Sequence, residues 1–174
     1  MRRLHVAVLL VLLMTALVGA GCSEAGLGGD DPEPLDQGGR TPAPAVSLPA
    51  LDGGERITLA SHLGRPVVLN FWASWCEPCT REMPALVAFA KQTPGIDVVG
   101  VAVNDVPADS RRFAREVGIP FDLGIDRDGA VAREFSVTGL PVTVIVDAEG
   151  RVADTFFGEI TREQLDSYAE QLGL

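Results

Sequence analysis

Hydrophobic positions fall into three regimes along this chain. Residues 6–18 form an apolar run interrupted only by Thr15. Residues 23–44 carry almost nothing apolar among Gly, Pro and acidic side chains. From Ala45 onward, apolar residues recur with the periods of strands and helices. Residues 46–51 and 56–59 flank the turn signal Asp52-Gly53 and predict a short hairpin. Residues 66–72 form a nearly continuous apolar run of strand length, as a central strand covered on both faces requires. Met83, Leu86, Val87 and Ala90 follow at helical spacing, predicting a helix over 78–91 that Pro84 kinks rather than ends. Residues 96–103 make a second buried strand, so strand, helix and strand form a right-handed parallel crossover. The pattern continues as a helix over 109–117, a strand over 121–125, a short helix over 129–135, and strands over 142–146 and 151–157. Thr161 and Gln164 form a capping box for a closing helix, with Ile160 and Leu165 placed as its staple. The sum is a three-layer α/β domain over 45–174.

The chain's 174 residues allow one domain once the N-terminus is set aside. That N-terminus reads as an address: Arg2 and Arg3, the apolar run, then the small residues Gly19, Ala20 and Gly21. Residues 1–21 are thus expected to be a signal peptide. The run is shorter than the roughly 20 residues of a spanning helix, which favours cleavage over a permanent anchor. The segment ending in Cys22 resembles a bacterial lipoprotein signal, in which the cysteine carries a diacylglyceryl group; it departs from that pattern at Gly19, where Leu is usual. An ordinary signal peptide with an incidental Cys22 is the competing reading. Residues 22–44 are expected to be a flexible acidic linker with an r.m.s. reach of roughly 25 Å. The formal charge is −10, and loss of Arg2 and Arg3 would take it to −12. Such a surface repels nucleic acid and anionic headgroups, so any attachment to a membrane is expected to be hydrophobic, through a lipid at Cys22 or an uncleaved leader, rather than polybasic.

The chain has three cysteines: Cys22, Cys76 and Cys79. Trp75-Cys76-Glu77-Pro78-Cys79 places two of them one helical turn apart, where the central strand hands over to a helix. At a helix N-terminus, unpaired N–H groups and the helix dipole favour the Cys76 thiolate, which makes Cys76 the attacking sulfur. Cys79, one turn in, can reach it only from within and suits a resolving thiol. Pro78 belongs early in a helix, where its missing N–H has no partner to lose. A zinc site lacks ligands, since only Cys22, His5 and His62 remain and two of these lie in the leader or at its end. A disulfide across so short a loop would constrain the unfolded chain little. The second landmark is Gly139-Leu140-Pro141-Val142, a proline just before a buried strand. If its bond is cis, the Leu140 backbone can pair with an extended substrate chain.

With these landmarks in order, residues 45–174 resemble the thioredoxin superfamily, and within it the exported, membrane-tethered branch typified by TlpA and ResA. The most specific stretches are residues 70–79, Glu82 and the Leu140-Pro141 turn. The leading hairpin and the extra helix and strand over 109–125 match that branch's N-terminal hairpin and central insertion. The resemblance implies a cis Pro141, a Cys76 nucleophile, a Cys79 resolver, and a reducing role toward disulfides of exported proteins, apocytochromes c among them. Monomer is the default for that branch. Thiol-disulfide exchange itself needs no cofactor or metal, and a domain outside the membrane, with no NADPH supply, is expected to be recharged by an electron-relay protein in the membrane. Where cytoplasmic thioredoxins carry a buried aspartate, this chain has Asn70. Glu82 matches an active-site glutamate of the branch, expected to accept the Cys79 proton or to raise the thiol pKa values. Glu77 and Glu82 together place negative charge near the pair, which disfavours thiolate and argues for a reductant. Two other classes compete. A thiol peroxidase of the peroxiredoxin kind shares the scaffold, but its Pro-x-x-x-Thr-x-x-Cys pattern is absent before Cys76. A copper chaperone needs a third ligand after the cysteines, usually His, and none follows His62.

Overall fold

The structure, a computed structural model, describes residues 39–174. The leader, Cys22 and the linker as far as residue 38 lie outside the described residues. At the centre is β4 (Val67–Trp72), buried at every position. It pairs in parallel with β5 (Asp97–Val103) and antiparallel with β7 (Val142–Val146). β5 carries the parallel strand β6 (Asp122–Asp126) on its outer side, and β7 pairs antiparallel with β8 (Arg151–Phe157). With β1 (Thr41–Pro42) beyond β8, the six-stranded order is β1-β8-β7-β4-β5-β6.

Alternation along β4 divides the core. Val67, Leu69 and Phe71 join Val99, Val101, Val142 and Val144 on one face. That face is closed by Ala132 of α3 (Ala130–Glu134), by Phe135, whose ring centroid lies 5.4 Å from that of Phe71, and by Val46 and Leu48 of the leading hairpin. Val68 and Trp72 face the other way. There they meet Met83, Leu86 and Phe89 of α1 (Glu77–Gln92), Ala114 of α2 (Pro107–Val117) and Leu165 and Tyr168 of α4 (Arg162–Gln171). Each such large side chain contributes about 1.5–3 kcal/mol on burial. The expected three layers are therefore present. The hairpin is β2 (Ser47–Leu48) against β3 (Ile57–Thr58), and the inserted helix and strand are α2 and β6. α1 runs through Pro84 without a break.

The capping box at α4 forms as the sequence predicts. Thr161 Oγ1 accepts from Gln164 N at 3.3 Å, and Gln164 Oε1 accepts from Thr161 N at 2.9 Å. Ile160 and Leu165 are both buried in the α1-side cluster. The box thereby fixes the entry of α4 and aims the Ile160 N–H beneath α1.

The linker boundary needs correcting. Thr41 pairs with Val152 and Pro42 with Arg151, and Ala43 N donates to Gly150 O at 2.9 Å. Arg40 and Arg151 both bind Asp147, at 3.2 and 2.9 Å. The folded part thus starts near residue 40 rather than at Ala45. Apolar periodicity misses such a strand because it is held by backbone pairing and charge, and proline is tolerated on an edge.

Candidate active site

Trp72 ends β4, and Cys76 is the N-cap of α1, with extended backbone at φ −86° and ψ 105°. Cys76 and Cys79 are joined as a disulfide with Cα atoms 5.3 Å apart. Cys76 Sγ also accepts from Cys79 N at 3.3 Å, so the sulfur sits at the unpaired N–H groups of the first turn. Cys76 is 5% exposed and Cys79 wholly buried, so only the first sulfur has a route to solvent. Pro78 occupies the first turn, as expected. Pro141 reaches the same end of the sheet through register: Val142 pairs with Phe71, so Pro141 lies beside the point where β4 passes into the cysteine loop. The Leu140-Pro141 bond is cis. Leu140 is half-buried and packs against the cluster that contains both cysteines. Between Trp75, which is exposed, and Leu140 lies a groove of about 190 Å³, with Asn104 and Val137 on its walls. A larger cleft, about 390 Å³ between His62, Lys91 and Asp97, sits at the start of β5 and includes none of these residues.

One turn along α1 from Cys79 is a small buried polar cluster. Asn70 points from β4 to the α1 side, where its Nδ2 donates to Glu82 Oε1 at 2.8 Å and to Thr143 Oγ1 of β7 at 3.1 Å. Glu82 Oε2 accepts from Ile160 N at 2.9 Å. Glu82 is 2% exposed, so it is not a solvated helical carboxylate. Burial pushes its pKa up to about 7; hydrogen bonds from Ile160 and Asn70 work against the rise, and the charge of Glu159 adds to it. A carboxyl poised near neutrality is suited to taking and releasing a proton.

Glu77 behaves differently. Its side chain is 86% exposed and pairs with Arg81 at 3.0 Å, while Arg81 also binds Glu159 at 2.9 Å. The expected negative charge near the pair is weaker than two carboxylates would give: Arg81 offsets Glu77, and Glu82, with its pKa raised to about 7, is only partly ionised at neutral pH.

Asp105 was not legible as a site residue. Nearly buried at 7% exposure, it takes four hydrogen bonds. Two come from Ser74, N at 2.7 Å and Oγ at 2.9 Å. The others come from Val106 N at 2.8 Å and Ser110 Oγ at 2.6 Å, at the start of α2. Trp75 Nε1 donates to Asn104 O at 3.3 Å, and Asn104 holds a left-handed φ of 48°. The inserted helix thus grips the loop that precedes Cys76. An Asp ahead of a Pro-initiated helix is a start signal that sequence can show, although its second duty on Ser74 is not. Asp105→Asn replaces one acceptor with a donor facing donors. It is expected to raise KM for a protein disulfide several-fold while leaving the rate of Cys76–Cys79 reduction by dithiothreitol near native. Equal losses in both would mean general loosening instead.

A redox-active pair capping the helix that leaves the central strand, with a cis proline at the same sheet end, defines a thiol-disulfide oxidoreductase on a thioredoxin-like scaffold. A model of the AhpC/TSA family matches residues 40–155, and the chain belongs to that family. It is 33% identical over 132 residues to the thiol-disulfide oxidoreductase ResA of Geobacillus thermodenitrificans, covering 75% of each chain. It is 32% identical over 164 residues to the thiol:disulfide interchange protein HelX of Rhodobacter capsulatus, covering 93% of this chain and 92% of that one. Among solved structures, a secreted thiol-disulfide isomerase from Corynebacterium glutamicum superposes with a TM-score of 0.72 at 25% identity, covering 84% of this chain and 96% of that one.

Proposed function

We propose that the protein is an extracytoplasmic reductant of disulfides in exported proteins, apocytochromes c among its targets, tethered to the membrane by a lipid on Cys22 and working as a monomer. The observation that carries the reading is the unequal burial of the pair: Cys76 at the helix mouth, Cys79 enclosed on the same helix as the buried Glu82. The reduced protein begins the cycle. Cys76 thiolate attacks one sulfur of a target disulfide; that S–S bond breaks, a mixed disulfide forms, and the first target thiolate leaves to be protonated by solvent. The target segment lies in extended form beside Leu140-Pro141, with its side chains against Trp75. Cys79 then gives its proton to Glu82, attacks Cys76 Sγ and releases the second target thiolate. Two electrons have passed to the target, and the enzyme is left as the disulfide seen here. An electron-relay protein in the membrane must then reduce it. The exchange requires no cofactor.

Support for the location comes from the leader-like N-terminus and from the secreted structural relative. Among the described residues no helix is long and apolar enough to cross a membrane, so the tether rests on the N-terminal segment. Intact cells alkylated with a membrane-impermeant maleimide test location and direction together. The expected result is one adduct on most molecules, at Cys76, with the enclosed Cys79 reacting as a free thiol only after denaturation. An unlabelled protein that becomes labelled only after cell lysis would place it inside the membrane barrier; one labelled only after reduction would be an oxidant at steady state.

A further inference from the structure

Asn70 is fully buried, yet among the described residues its Oδ1 has no hydrogen-bond partner, while Nδ2 serves both Glu82 Oε1 and Thr143 Oγ1. A carboxamide has nearly the same shape after half a turn about its last torsion. That turn puts an acceptor where the donor stood. Both neighbours can follow it: a protonated carboxyl has an O–H to give, and a hydroxyl donates as readily as it accepts. The other Glu82 oxygen cannot, because the Ile160 backbone N–H that it accepts from is always a donor. The proton therefore belongs on Oε1, facing Asn70.

We infer that Asn70 is a positioning residue that turns its carboxamide with each protonation of Glu82, donating to Oε1 of the carboxylate, and accepting from Oε1–H of the acid and from the Thr143 hydroxyl. This rests on the reading of Glu82 as the Cys79 proton acceptor and deepens it. In the step itself the Cys79 S–H bond breaks, the Glu82 O–H bond forms and no electron moves. When Glu82 later yields the proton to solvent, the amide turns back. Each state keeps a hydrogen bond to Oε1, and in each the far end of the amide is unpaired among the described residues, so the turn exchanges one unpaired end for the other.

The charged groups around Glu82 leave this role to Asn70. Glu159, beside Ile160 ahead of α4, opposes ionisation, and Arg81 of α1 is engaged by Glu159 and Glu77. α1 itself adds the Cys79 thiol in the reduced protein. β4 and β7 present neutral Asn70 and Thr143, so Asn70 supplies the one side-chain hydrogen bond to the ionised form.

The full chain, reduced and labelled with ¹³C at glutamate carboxyls, tests this by NMR titration, with the Glu82 signal assigned by its loss in Glu82→Gln. The expected native midpoint is near 7. Asn70→Leu removes a charge-assisted bond to the carboxylate and is expected to raise the midpoint by about one pH unit. Asn70→Ala, smaller and equally without a donor, should raise it likewise and carries the test if the leucine variant fails to fold. Asn70 side-chain ¹⁵N signals that do not move with the Glu82 midpoint, or variants that lower thermal stability and leave that midpoint in place, would overturn the inference. A native midpoint near the ordinary glutamate value overturns both the inference and the Glu82 reading. Shifted midpoints combined with native turnover in Glu82→Gln would retain the amide's role and remove only Glu82's part in the exchange.

Discussion

Cys79→Ala is expected to turn this enzyme into a trap. Cys76 keeps its place at the helix N-cap and still attacks a target disulfide, but no buried sulfur remains to release it. Turnover should fall at least about 10³-fold, on the scale of losing a member of a covalent catalytic unit. The protein–target mixed disulfide should accumulate at one equivalent, visible by intact mass without reductant. Cys76→Ser should lose the same turnover without accumulating any adduct, because the remaining sulfur at Cys79 is enclosed. An adduct that forms on Cys79 in the serine variant, and not on Cys76 in the alanine variant, would reverse the assigned roles.

Glu82→Gln is expected to make the protein more stable and less active. Burial holds the Glu82 pKa at about 7, against 4.5 when it is free in the unfolded chain. Between those values the folded state keeps a proton that the unfolded state has lost. Stability therefore falls as pH rises from about 4.5 to about 7, by about 3 kcal/mol in all. Glutamine carries no such cost. Its oxygen can accept from Ile160, and its amide can donate to a turned Asn70, so both hydrogen bonds at residue 82 persist. Denaturant unfolding of the oxidised protein should show native and variant close at pH 4 and the variant ahead at pH 8. Without a proton acceptor for Cys79, turnover at pH 8 should drop on the order of 10²-fold, and the native rise of activity through about pH 7 should flatten. A variant less stable than native at pH 8 would mean that the carboxylate is better solvated than its burial implies.

Local signals made most of the fold legible. Residues 142–146 and 151–157 are strands at the boundaries that their apolar runs and the turn between them indicate, and the Thr161–Gln164 box starts α4 where it should. The cysteine loop was legible because strand, motif and helix are contiguous in sequence. What escaped notice depends on partners far along the chain. Asn70 meets Thr143 across 73 residues, and Asp105 reaches Ser74 across 31. No periodicity marks a polar side chain that a register alone brings to its partner. The charge argument needed revision for a local reason: Glu77 and Arg81 stand four residues apart on α1, a spacing that the sequence does show, and Arg81 reaches Glu159 as well. β1 was missed because two edge residues need no apolar face to pair.

The reduction potential of the Cys76–Cys79 pair tests the central claim most directly, by equilibrating the protein against dithiothreitol buffers and alkylating the free thiols. The expected value lies near or below that of thioredoxin, about −270 mV, which makes the protein a donor of electrons to exported disulfides. A value near −120 mV, at the strongly oxidising end, would contradict this and make it an enzyme that inserts disulfides into its targets.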